Sequence, residues 1–155
     1  MTLSTLCFCL TDDQVLLAMK KRGFGAGKWN GYGGKVQAGE TPRIAALREL
    51  TEESGLVAAE KDLQQVAIVN FYFEGKHVFE CHVYRTYSWQ NEPVETEEMR
   101  PRWFPMNKIP FDEMWAADAK WLPLILAGQT IKADINFTAE GTKVKEFTAA
   151  PAHFD

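Results

Sequence analysis

The run from residue 22 to residue 40, RGFGAGKWNGYGGKVQAGE, constrains this chain more than any other segment. Glycine at that density excludes a regular helix and implies backbone angles that side-chain-bearing residues avoid. A helix is marked at both ends directly after it. Thr41 is a good N-cap, Pro42 suits the first helical position, and Gly55 suits the position just past the C-terminus. The chain is therefore expected to run a glycine-rich loop straight into the N-terminus of a helix over 41–54.

The remaining elements read as strands more often than helices. Residues 3–10 and 15–20 are apolar runs separated by the turn Thr11-Asp12-Asp13-Gln14. Residues 64–73 and 77–87 are rich in Val, Ile, Phe and Tyr, and the break at Glu74-Gly75-Lys76 predicts an antiparallel hairpin. Residues 100–106 read as a further strand and 118–127 as a second helix ended by Gly128. Residues 130–138 and 142–148 read as a last hairpin across Glu140-Gly141. Many strands and two helices in no repeating order predict an α+β protein with a mixed sheet. A length of 155 residues fits one domain over 1–155, and no repeat or linker divides it.

Composition narrows the partners. No apolar run approaches the ~20 residues that span a bilayer. The first ten residues lack the basic start and cleavage site of a signal peptide. Cys7, Cys9 and Cys81 lie in apolar segments with no Cys/His cluster beside them, which predicts buried thiols in a reducing, cytoplasmic setting rather than a thiolate metal site. A net charge of −4 argues against wrapping a nucleic-acid backbone and leaves a small phosphorylated ligand open.

On a helical wheel of residues 42–54, Ile44, Leu47, Leu50 and Thr51 share one side, which is expected to pack on the sheet. Glu49, Glu52 and Glu53 gather on the opposite side, with Arg48 at its edge four residues before Glu52. Pro42, Ala45 and Ala46 lie between them, so the acidic face reads as low in bulk and open to a ligand. Like charges at this spacing repel, and more so in a cleft. Divalent cations would offset that repulsion, and oxygen-only ligands select hard ions such as Mg²⁺ or Mn²⁺. The plain alternative is a solvated acidic face. The glycine loop before the helix favours the metal reading, since such loops can aim backbone N–H groups at phosphate.

The spacing carries a family resemblance. Gly34, five residues, Glu40, seven residues, then Arg48-Glu49-Leu50-x-Glu52-Glu53-x-Gly55-Leu56 resembles the Nudix box in full. The wider chain is similar to the MutT homologues of the mammalian kind through KKRGFGAGKWNGYGGKVQAGET, EESGL, PVETEEMRPRWF, IPFDEMW and WLPLIL. That likeness runs from about Thr5 to Leu126 and fades after Gly128.

The resemblance implies the Nudix fold, an α/β/α sandwich around a mixed sheet. It implies Mg²⁺-dependent hydrolysis of oxidised purine nucleoside triphosphates to monophosphate and pyrophosphate, by a monomer that sanitises the nucleotide pool. Glu49, Glu52 and Glu53 would be metal ligands, joined by Glu98 and the carbonyl of Gly33. Glu40 and Arg48 would brace the box, and Glu53 or Glu98 would be the general base. Lys20, Gly33, Gly34 and Lys35 would sit near the nucleotide and its phosphates. Phe24 and Trp115 would stack on the base, Asn30 would contact its edge, and Thr5, Tyr32 and Phe79 would line the pocket. Asp118 corresponds to one of two adjacent aspartates that read the purine edge in this branch; Ala117 stands in place of the other. Asp118 also stands where a helix N-cap would. Competing expectations are a Nudix hydrolase of another substrate, such as ADP-ribose, a dinucleotide or a capped RNA. A non-catalytic nucleotide-binding module and isomerase chemistry on the same fold are further alternatives.

Overall fold

The computed structural model describes residues 1–154. The strands are β1 (Thr2–Leu10), β2 (Gln14–Lys20), β3 (Trp29–Asn30), β4 (Gln64–Phe73), β5 (Lys76–Thr86), β6 (Met99–Pro105), β7 (Ile131–Phe137) and β8 (Val144–Pro151). Two α-helices, α1 (Pro42–Ser54) and α2 (Asp118–Leu126), and two short 3₁₀ turns complete the described elements. The strands form one mixed sheet in the order β3-β2-β1-β5-β4-β7-β8, with β6 paired to β2. The β1–β5 and β4–β7 pairs are parallel and the other strand pairs antiparallel.

Central strands bury both faces, so they read as unbroken apolar runs rather than alternating ones. Leu6, Phe8, Leu10, Val15 and Leu17 join the core that holds α2, while Cys7, Cys9, Leu16 and Ala18 join the core that holds α1. The three cysteines are free and buried, as expected. The β4–β5 hairpin closes through Glu74 at φ 48° and Gly75 at φ 78°. Two positive φ values give the turn whose twist suits a two-residue hairpin. No helix among the described residues is long and apolar enough to cross a membrane.

The glycine run explains how the sheet opens for a site. β1 meets β2 only at Cys9 and Leu10. Nearer its start, β1 bonds instead to the glycine run. Thr5 donates to the Gly34 carbonyl at 2.9 Å, and Tyr32 donates to the Cys7 carbonyl at 3.1 Å. At two of its glycines that seam leaves no room for a side chain. A Cβ on Gly33 would lie 1.8 Å from the Thr5 carbonyl oxygen, and one on Gly31 would lie 2.9 Å from the Phe8 ring.

Helix α1 is capped as expected. The Thr41 side chain accepts from the Ile44 N–H, and Gly55 takes φ 78°. Its buried face differs from the wheel reading. The buried residues are Ala45, Ala46, Leu50 and Ser54, whereas Ile44 is 40% exposed and Thr51 is exposed. The small side chains serve close approach of the helix to β1 rather than access for a ligand. The helix is thereby rotated so that Glu49 and Glu53 turn toward the glycine run. A second correction concerns α2. Its N-cap is Ala117, and Asp118 is the first helical residue with no capping bond.

Candidate active site

Arg48 organises the box. Its guanidinium donates to both oxygens of Glu40, at 2.7 and 2.9 Å, and to the Lys35 carbonyl at 3.2 Å. The same group donates to Glu49 at 2.8 Å and to Glu52 at 3.2 Å. Glu40 also accepts from the Gln37 N–H at 2.8 Å. One cation thus ties the end of the glycine run to two glutamates of α1. The Arg48 bond holds the Glu40 carboxyl below its usual range, and Glu40 and Glu49 push the guanidinium further from deprotonation. A bidentate fork of this kind needs Arg; Lys cannot form it.

The two glutamates that face the glycine run lack enough positive charge. Glu49 is raised above the ordinary carboxylate range by burial, against the pull of Arg48. Glu53 is pushed up to about 8, first by burial and then by the Glu49 charge. Glu98 adds to the repulsion, while the Gly33 N–H, at 3.1 Å from Glu53, and Lys20 offset part of it. Buried carboxylates that repel one another call for a cation, and an all-oxygen donor set fits a hard divalent ion. Among the described residues, no three carboxylate, thiol or imidazole groups converge as a ready metal cluster. Glu52 leans to Arg48, and Glu98 pairs with Arg22 at 3.3 Å. Holding a metal would therefore require these two side chains to swing from their arginines.

A cavity of about 180 Å³ adjoins the carboxylates. It is smaller than the ~300–1,000 Å³ that encloses a whole small ligand, so it suits one flat ring system with the rest outside. Phe24, Phe79 and Trp115 form aromatic walls, with Phe24 lying 5.1 Å from the Trp115 ring and 5.8 Å from Phe79. Asn30, Thr5 and Asp118 supply polar atoms. The Thr5 hydroxyl and Oδ2 of Asp118 are buried without a partner. Oδ1 of Asp118 accepts from the Trp121 indole N–H at 3.1 Å. Burial pushes the Asp118 carboxyl up to about 7, and the Trp121 bond and the Lys28 charge hold it from rising further.

Gly33 and Gly34 join the two regions. Both line the cavity. Gly33 also bonds Glu53, and a Cβ on Gly34 would lie 2.6 Å from the Glu49 carboxyl. Lys20 lines the cavity and acts on Glu53 as well.

One expected pocket residue lies elsewhere. Tyr32 is fully buried in the α1 core and is not part of the cavity wall. Alternation along the segment that pairs with β1 turns it to the opposite face from its glycine neighbours. Lys35 is also outside the wall and contributes its carbonyl to Arg48 and a bridge to Ser4. Sequence reasoning missed Lys28, whose ammonium lies 5.2 Å from the Trp115 ring centre and which lines the cavity. Its one signal was its place two residues before Asn30. Phe71, Phe73 and Phe137 also line the cavity, and they alternate along β4 and end β7.

Comparison with known proteins agrees with this geometry. The NUDIX domain sequence model matches residues 1–125. A Danio rerio protein named oxidized purine nucleoside triphosphate hydrolase is 51% identical over 125 residues, covering 80% of this chain and 79% of that protein. A Mus musculus protein of the same name is 44% identical over 141 residues, covering 90% and 89%. The crystal structure of a MutT mutator protein from Bacillus halodurans superposes with a TM-score of 0.82 over 99% of this chain and all of its own. At 22% identity it speaks for the fold alone. A seamed sheet, an Arg-braced acidic helix and a domain match over most of its length together place this chain in the Nudix hydrolase family.

Proposed function

We propose that this protein is one Nudix domain over residues 1–155 that hydrolyses oxidised purine nucleoside triphosphates to monophosphate and pyrophosphate with Mg²⁺. The observation that carries the reading is the Gly33–Gly34 joint, which sets a base-sized aromatic cavity against half-buried, mutually repelling glutamates. The names of the two vertebrate relatives support the substrate class.

Glu49, Glu52, Glu53, Glu98 and the Gly33 carbonyl would hold the divalent ions that this family uses. Bound there, such ions neutralise charge on the phosphates and make water a better nucleophile. Arg48 and Glu40 keep Glu49 and Glu52 in place. Glu53, oriented by the Gly33 N–H, or Glu98 takes the proton of the attacking water. Lys20 lies toward the phosphates. Phe24 and Trp115 stack on the base, with Asn30, Thr5, Phe79 and Asp118 around it, so the cavity selects and the helix reacts.

Glu53→Gln should lower kcat by roughly 10²–10⁴-fold while nucleotide Kd stays within about threefold. Turnover near that of the parent would sink the catalytic assignment. A panel of oxidised and normal dGTP and dATP, with ADP-ribose and a dinucleotide beside them, tests the substrate. Equal kcat/KM for oxidised and normal nucleotides would remove the oxidised-purine reading and leave the hydrolase standing.

A further inference from the structure

We infer that the turn between β7 and β8 is a fixed stop behind Trp115, and that Gly141 within it sets the width of the aromatic cavity. This rests on the reading of the cavity as the base pocket and adds what holds one of its walls in place. The turn lies beyond Gly128, where the likeness to the family fades. Gly141 is buried, takes φ 74° and is not itself part of the cavity wall. A Cβ there would lie 3.0 Å from Cζ3 of Trp115 and 3.1 Å from Cε1 of Phe73, and both of those rings are in the wall. The turn therefore touches two rings of the wall from outside the cavity.

Hydrogen bonds hold the turn in place. The Thr138 N–H donates to the Lys143 carbonyl at 2.9 Å, and the Thr138 hydroxyl accepts from the Lys143 N–H at 3.3 Å. The Gly141 N–H donates to the Thr138 carbonyl at 2.9 Å. Glu74, in the neighbouring β4–β5 turn, anchors the assembly from outside. One of its carboxylate oxygens accepts from the Ala139 N–H at 3.2 Å and the other from the Lys145 ammonium at 2.9 Å. Its own N–H donates to the Phe137 carbonyl at 2.9 Å. Glu74 makes these bonds at φ 48°, a backbone conformation that disfavours a side chain.

Trp115 has little room to yield elsewhere. Phe24 and Phe137 flank it at 5.1 and 6.0 Å between ring centres, and the Lys28 ammonium lies 5.2 Å from its ring. Non-bonded carbons settle at about 3.5–4.0 Å, so a Cβ at position 141 forces the ring forward by a few tenths of an ångström. The way left open is toward the cavity. Close packing transmits such a shift rather than absorbing it. Glycine at 141 thus serves the width of the base slot as well as the turn.

The test compares Gly141→Ala and Gly141→Asn with Gly128→Ala. Asn tolerates a positive φ better than Ala but carries the same Cβ. Gly128 has φ 96° and nothing within 4 Å of its Cβ position, so Ala there imposes the backbone strain without the contact. Both Gly141 variants should raise KM for 8-oxo-dGTP about five- to tenfold, the loss of part of one stacking contact, with kcat within about twofold. Kd for 8-oxo-dGMP, read without metal by quenching of tryptophan fluorescence, should rise by the same factor. Gly128→Ala should lower Tm and leave KM and Kd unchanged. Glu74→Gly removes the anchor at a φ that glycine accepts, so it should raise KM about two- to threefold with little change in Tm. Glu74→Gln keeps an acceptor for Ala139 and should restore the parent value. Parent-like KM and Kd in the Gly141 variants, or in Glu74→Gly if those do not fold, would overturn the inference and leave the hydrolase reading intact. An equal rise in KM in Gly128→Ala would also overturn it, since strain alone would then be the cause. Failure of 8-oxo-dGMP to bind the parent protein would overturn the inference together with the base-pocket reading beneath it.

Discussion

The acidic face of α1 and the aromatic cavity lie on either side of the same two glycines, yet they treat polar groups in opposite ways. On the helix, one guanidinium bonds three carboxylates and a backbone carbonyl, and Glu53 takes a backbone N–H. In the cavity, Oδ2 of Asp118 and the Thr5 hydroxyl are buried with nothing attached. Leaving a buried polar atom unpaired costs about 1–3 kcal/mol, so it persists where a ligand completes it. Crowded glutamates are instead completed by positive charge. One region is thus suited to a cation and the other to hydrogen bonds from a base.

The sharpest way to break the comparison is at the joint. Gly33→Ala would drive a Cβ to within 1.8 Å of the Thr5 carbonyl, where backbone must move. We expect loss of both functions and destabilisation of about 4 kcal/mol or more, read as a fall in Tm. A variant with parent-like Tm and activity would show that the seam yields and that the two regions are not rigidly joined.

Asp118 tests the cavity side alone. Its folded pKa is raised to about 7 from 3.8, so the folded chain holds a proton that the unfolded chain has released. Stability from this group is present below about pH 4 and is lost as pH rises to about 7. Asp118→Asn should therefore gain stability relative to the parent across that window, up to about 4 kcal/mol, in denaturant melts at each pH. The charged and titrating groups facing it are Lys28 from the glycine run and Cys81 from β5. A pH-independent difference would show that Asp118 ionises freely.

Arg48→Lys tests the helix side alone. It keeps the charge but loses the fork to Glu40, and should lower stability by about 1–2 kcal/mol and kcat at least tenfold. The ratio of kcat/KM between oxidised and normal nucleotides should not move. A shift in base preference in this variant would mean that the helix also selects. The smallest effect is expected at Phe24, which is 60% exposed. Phe24→Ala should raise KM about five- to tenfold, at the low end of the range for one stacking contact, with Tm unchanged.

Local chemistry was legible where it depends on neighbours in the chain. The caps at Thr41 and Gly55, the Glu74-Gly75 turn and the Arg48–Glu52 spacing follow from i to i+4 relations, and the structure reproduces each. The wheel misjudged the buried face of α1. It weighted bulky apolar residues, whereas packing on β1 selected Ala45 and Ala46 for closeness. Tyr32 was misplaced because a glycine-rich segment offers too few side chains from which to read its facing. Lys28 was missed because its contact is with Trp115, far along the chain. β8 continues to Pro151, beyond the expected hairpin end, because its pairing with β7 extends that far.

The sequence by itself determined the acidic helix, since its caps, its carboxylates and its brace all lie within one short stretch of chain. Only the tertiary structure decided what the glycines are for and which way the pocket's polar atoms point. Gly33 matters because Thr5 passes at bonding distance, and Asn30 is a donor because Gly31 uses its oxygen. Oδ2 of Asp118 is left without a partner, while Trp121 holds Oδ1. Those are facts about distance and about hydrogen-bond partners already taken, and neither is set by residue type until the strands and loops that bring the groups together are in place.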